Sequence, residues 1–183
     1  MTNIFASIKD YLQMKLDDEP KNPLHVGEVM SLWMYLALMD EATVYIQIGL
    51  NTTNDDVVHK MLTDSLKQCD EQGKRFREFM KTEGVHLPST SEQRPNSDSN
   101  AVPLGVKLTD DEIMNGLSMK TMAAVMHCAV SASQSIRNDI SLLFTQTMIE
   151  KMKFGVELKD VMRKRGWIKV PPYYYPPGMP KQQ

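Results

Sequence analysis

The stretch "LKDVMRKRGWIKVP", residues 158–171, closes a charged helical run on a glycine, a tryptophan and a proline. The chain has already done nearly the same in "FREFMKTEGVHLP", residues 76–88. Met80 and Gly84 fall on Met162 and Gly166 at a shift of 82. The same shift sets Gly73 on Gly155, Thr63 on Thr145, Leu62 on Phe144, Leu66 on Met148 and Phe76 on Leu158. Identities are few, and the agreement lies in residue class and stop signals. It predicts two related helical hairpins.

Working outward, Ile4, Phe5, Ile8, Tyr11 and Leu12 have helical spacing and predict a short N-terminal helix over 1–18. The first hairpin, 22–84, opens with Asn22 as N-cap and Pro23 in the first turn. Val26, Met30, Trp33, Ala37, Val44 and Ile48 form the expected inward face of its first helix. Val58, Leu62, Leu66, Cys69, Gly73, Phe76 and Met80 form that of its second, which Gly84 stops. Residues 85–108, rich in Pro, Ser and Asn, read as a solvated crossover. The second hairpin, 109–166, begins with Thr109 and Glu112 at capping-box spacing. Its first helix is apolar almost all round, which predicts burial from two directions. It also carries a small-residue stripe, Leu117, Thr121, Ala124, Cys128 and Ser131, suited to close packing within the bundle or across a two-fold dimer. The tail, 167–183, contains "VPPYYYPPGMP" and reads as extended, either strapped across the bundle or offering its tyrosines to a partner. The expectation is one all-α domain, a ferritin-like four-helix bundle with one long crossover.

Composition removes several function classes. Lys and Arg number 21 against 23 Asp and Glu, a net charge of −2, so no basic excess is available for a nucleic-acid backbone. Cys69 and Cys128 lie far apart in helical patterns and read as reduced, buried thiols. The first residues lack a secretory pattern, and the apolar region Leu117–Val130 is interrupted by Lys120 and His127. A cytoplasmic chain with no membrane span is expected. The 15 methionines predict adaptable helix–helix packing.

The ending "MRKRGWIKVPPYYYPP" resembles that of spore coat protein F-like proteins. The preceding "IRNDISLLFTQTMIEKMKFGVELKDVM" has that family's spacing of Arg and apolar positions. The earlier "GEVMSLWMYLALMDEATVYIQIGL" is similar to an uncharacterised ferritin-like family of spore-forming bacteria related to it. The resemblance covers roughly residues 25–175. It implies a four-helix bundle, a link to the spore coat or to sporulation, and spore coat proteins as partners; it carries over no catalytic residues.

Di-iron bundles of this plan need Glu-x-x-His pairs projecting into the core. Here the one such pair is Glu83 and His86, which straddles Gly84 at a helix end. The second hairpin's second helix has no histidine, and Glu150 is expected to face solvent. A smaller site for a single divalent metal ion remains open on His25, Glu28 and His59, against a solvated helix start whose Glu suits the dipole. His127 reads as a hydrogen-bonded core histidine. Asp40 and Lys151 fall near apolar stripes, where lone charges need partners; they are expected to pair with each other or with a neighbour such as Asn115 or Tyr45. Gly73 and Gly155, at matched mid-helix positions, predict a close helix approach or a ligand cavity near Trp33. Neither a nucleophile–base pairing nor a phosphate loop is visible. The expected function is therefore non-enzymatic, structural or interactive, in a homodimer and without a cofactor. The alternatives are a degenerate metal-binding member and a small-molecule-binding bundle.

Overall fold

The computed structural model describes residues 6, 7, 10, 11, 13 and 21–178. The expected N-terminal helix falls largely outside them, as does the last part of the tail. Four long helices follow: α1 (Val26–Leu50), α2 (Asp56–Thr82), α3 (Asp110–Gln134) and α4 (Asn138–Lys164). Their lengths alternate at 25, 27, 25 and 27 residues. A single 3₁₀ turn, Ser99–Ala101, interrupts the crossover, and no strand occurs among the described residues.

Local chemistry sets the ends. Thr109 and Glu112 form the expected capping box of α3. The cap of α1 is His25 rather than Asn22: its Nδ1 accepts from the amides of Gly27 and Glu28, while Glu28 Oε2 accepts from the His25 amide. An imidazole nitrogen is an acceptor in one tautomer, so it can fill the place of a Ser or Asp oxygen. Asp55 caps α2. Gly84 and Gly166 both have φ of 72°, a left-handed conformation that glycine adopts without steric cost. Each helps close a Schellman-type end, with Val85 N donating to Met80 O and Trp167 N to Met162 O, both at 2.9 Å.

The crossover returns along α1. Asn51 Nδ2 donates to Pro95 O and the Ser97 amide donates to Asn51 Oδ1, at 2.9 and 3.0 Å. α3 therefore starts beside the end of α1, where Tyr45 Oη donates to Ile113 O at 3.0 Å. It ends beside the start of α1, where His127 Nε2 lies 2.9 Å from Ser31 O. α2 and α4 are joined by Asp55–Arg165 at one end, Gln68–Glu150 in the middle and Glu83–Arg137 at the other. Every neighbouring pair in the bundle is thus antiparallel.

The core takes Leu32, Tyr35, Leu36 and Ile46 from α1, and Leu62, Phe76 and Met80 from α2. Ile113, Met114 and Leu117 come from α3, and Ile140, Phe144 and Leu158 from α4. This corrects the expected face of α1: Val26, Met30 and Trp33 are exposed. Apolar residues lie all round α1, so spacing alone leaves its rotational phase undetermined. α3 is likewise buried on one side only. Its small-residue stripe, Leu117, Thr121, Ala124, Cys128 and Ser131, faces the core, while Met119, Met122, Met126 and Val130 face outward. By length and composition α1 also passes for a membrane span, although a third of that window (33%) is buried in the bundle.

Candidate functional site

All four helices send polar side chains into the middle of the bundle. Tyr35 Oη, from α1, donates to Gln72 Oε1 of α2 at 2.9 Å. Gln72 Nε2 donates onward to Glu150 Oε2 of α4 at 2.8 Å. Arg75 holds the same carboxylate with two nitrogens, at 3.0 and 2.8 Å, and reaches Thr147 Oγ1 at 3.2 Å. One residue further along α4, Lys151 Nζ lies 3.7 Å from Cys69 Sγ. Tyr35 packs on Phe76, with ring centroids 4.4 Å apart, and Phe144 stands edge-on to both.

The electrostatics follow from burial and pairing. Burial holds the Tyr35 hydroxyl well above its ordinary range, and the neighbouring thiols add to this. Burial also pushes the Cys128 thiol up to about 12. Burial acts to raise Glu150, but the hydrogen bonds from Arg75 and Gln72 outweigh it and hold the carboxylate below its usual range. The interior therefore holds a protonated phenol and a protonated thiol, and at its half-exposed α2–α4 edge a carboxylate committed to a guanidinium. Among the described residues, no group of three His, Cys, Asp or Glu side chains is placed to hold a metal ion.

Several expected sites are arranged differently. The Glu150 side chain keeps 39% exposure, in keeping with the outward position expected for it, but Gln72 and Arg75 also draw it against α2. Asp40 and Lys151 do not meet: Asp40 accepts from Arg77 Nη2 at 2.5 Å, and Lys151 turns to Cys69. Arg77, one turn beyond Gly73, reaches Asp40 first. His25 and Glu28 do lie together, but the solvated helix start expected for them is not what forms. Glu28 is 2% exposed and accepts from the amides of Ile136 and Arg137, both at 2.9 Å. His59 sits in the first turn of α2, at the opposite end of the bundle, so the three cannot share an ion. Trp33, Gly73 and Gly155 do not enclose one cavity either. A Cβ on Gly73 would meet only the flexible end of Arg77, and one on Gly155 would make ordinary contact with Thr121. Gly155 does line a cleft of about 350 Å³ between α3 and α4, with Met122, Met126, Met152 and Lys151. The close approach falls instead at Gly116, where any Cβ would collide with the Tyr45 hydroxyl.

Sequence reasoning missed Arg137, which precedes α4 and is buried. Its guanidinium binds Glu83 through two nitrogens, each at 2.7 Å, and also holds Asp139 and the Asn22 carbonyl. A signal was available: a cation at a helix N-terminus opposes the dipole and calls for nearby anions.

With this geometry in place, the chain can be assigned to a class of all-helical bundle proteins. It belongs to the family described as "Protein of unknown function (DUF3231)", which matches residues 13–179. It is 30% identical over 152 residues to the uncharacterised protein YvdQ of Bacillus subtilis (strain 168), covering 83% of this chain and 89% of that one. A crystal structure of a candidate spore coat protein from Bacillus halodurans C-125 superposes with a TM-score of 0.82 at 28% identity, over 84% of this chain and 97% of that one. A DUF305 fragment from Deinococcus radiodurans shares the fold, with a TM-score of 0.62 at 13% identity, over 78% and 99% of the two chains.

Proposed function

We propose that this protein is a non-enzymatic, ferritin-like bundle with a structural or interaction role in the spore coat or in sporulation. One observation carries the reading. The level of the bundle where a di-iron protein of this plan needs carboxylates and imidazoles is filled by the Tyr35–Gln72–Glu150–Arg75 chain and by Lys151 with Cys69. Glu150 is engaged by Arg75 and Gln72 together, which commits the one carboxylate of this chain to a guanidinium rather than to an ion. The antiparallel neighbours and lengthwise crossover support the ferritin-like assignment, and the likeness to the candidate spore coat protein supports the setting.

The two hairpins are read as divergent copies. Supporting this are the alternating helix lengths, the matched ends at Gly84 and Gly166, and the contacts Gln68–Glu150 and Cys69–Lys151 between residues 82 apart. A homodimer through the outward methionines of α3 completes the reading, with no membrane span and no nucleic-acid partner. A tagged copy followed through spore formation tests it: the tag should rise during sporulation and remain with purified spores. A tag present equally in vegetative cells and absent from spores contradicts it. The cleft at Gly155 favours a second reading as a small-molecule-binding bundle, which native mass spectrometry of the purified protein tests.

A further inference from the structure

We propose that Cys69 and Lys151 form an oxygen-bridged covalent cross-link, Sγ–O–Nζ, that reversibly locks the two hairpins together under oxidation. The pair is unusual for a bundle core. Each residue is 4% exposed, and Nζ lies 3.7 Å from Sγ. Among the described residues, Lys151 makes no salt bridge with any carboxylate, although a buried ammonium ordinarily needs one. A thiol is a weak acceptor and a poor substitute. A methionine would fill the same volume with no charge to satisfy. The flexible four-carbon stem lets Nζ close the remaining gap to sulfur.

Location adds to the case. Cys69 lies on α2 of the first hairpin and Lys151 on α4 of the second, at the middle of their contact. Cys69 also lines a cleft of about 670 Å³ between α1, α2 and the crossover, while Lys151 lines the cleft between α3 and α4. Each member of the pair thus borders a cleft from which a small oxidant would approach, whereas Cys128 lines neither of these clefts.

Dioxygen is the oxidant. The ammonium first gives up its proton to solvent in the α3–α4 cleft that Lys151 lines, leaving a neutral amine. The S–H bond and one N–H bond then break, and one oxygen atom is inserted between sulfur and nitrogen. The second oxygen leaves as water with the two hydrogens released. Sulfur and nitrogen each supply two of the four electrons that reduce dioxygen. Excess dithiol reverses the step, returning thiol, amine and water as the reagent becomes its disulfide. The link closes the chain between residues 69 and 151, so it should raise the thermal midpoint by about 5 °C or more.

Intact-mass spectrometry of the full chain, purified reduced and then held in air, tests the proposal. The expected species is heavier by about 14 Da, one oxygen gained and two hydrogens lost, and dithiothreitol removes it. Peptide mapping should join the peptides containing Cys69 and Lys151. Lys151→Met and Cys69→Ser should each abolish the species, and Cys128→Ser should retain it. The wild-type result alone can overturn the proposal, whatever the variants do. A mass that stays unchanged, falls by two hydrogens as in a disulfide, or rises only by whole oxygen atoms would do so. A cross-link mapping to any other pair would as well.

Discussion

The guanidinium of Arg137 ties the lead-in to α1, the end of α2 and the start of α4 through Asn22, Glu83 and Asp139. Arg137→Ala leaves Glu83 without its cation and Asp139 with Lys21 alone, and should lower stability by about 3 kcal/mol in urea unfolding. The pH dependence has a definite sign. The Arg137 hydrogen bond holds Glu83 below the ordinary carboxylate range; Asp139 is also lowered, burial being outweighed by Arg137 and Lys21. A lowered folded pKa gives stability that is present above the unfolded value and lost as pH falls through the folded one. Wild-type stability should therefore drop steeply below about pH 4, and Arg137→Ala should flatten that drop. At Gly116 the constraint is steric. Gly116→Ala drives a methyl into Tyr45 and strains its bonds to the Glu112 and Ile113 carbonyls. A loss of about 1–3 kcal/mol is expected in the same measurement. Lys151→Met should be tolerated better than Lys151→Ala in thermal melts of the reduced protein, because Met keeps the packed stem and removes a weakly partnered charge.

Among the elements, α3 is the most exposed to test. Its outward Met119, Met122, Met126 and Val130 continue toward Met152 and Val156 of α4. A charge placed there, as in Met126→Glu, should shift the protein from dimer to monomer in light scattering while leaving the thermal midpoint within about 2 °C. A wild-type monomer at every concentration would contradict the dimer. The elements also show where the sequence was readable. The inward face of α2 was legible because Lys60, Asp64, Lys67, Asp70, Lys74 and Glu78 mark its opposite face in charge. The capping box at Thr109 and the stop at Gly84 and Gly166 were legible because each rests on local chemistry. The phases of α1 and α3 were not, because both are apolar on nearly every side. The central polar chain was hidden for another reason. Gln72, Arg75 and Glu150 look like solvated helix residues until antiparallel packing of α2 on α4 brings them together. Glu28 was misread similarly, since its acceptors' partners lie at Ile136 and Arg137, far away in sequence.

For the whole molecule, the seam between hairpins carries the account. Asp55 and Glu83 at the two ends of α2 meet Arg165 and Arg137 at the two ends of α4. The first hairpin is acidic at both contacts and the second basic, so pairing of unlike hairpins satisfies both ends, while like hairpins would set carboxylate against carboxylate. Between those ends the Tyr35–Gln72–Glu150–Arg75 chain runs from the buried Tyr35 hydroxyl to the half-exposed Glu150 and Arg75 at the α2–α4 groove. Elemental analysis by mass spectrometry, on protein purified without chelator and then offered iron, manganese and zinc, probes that interior most directly. The predicted result is far less than one equivalent of any metal per chain, unchanged in Glu150→Gln. One or two equivalents of iron or manganese, lost in Glu150→Gln, would contradict it.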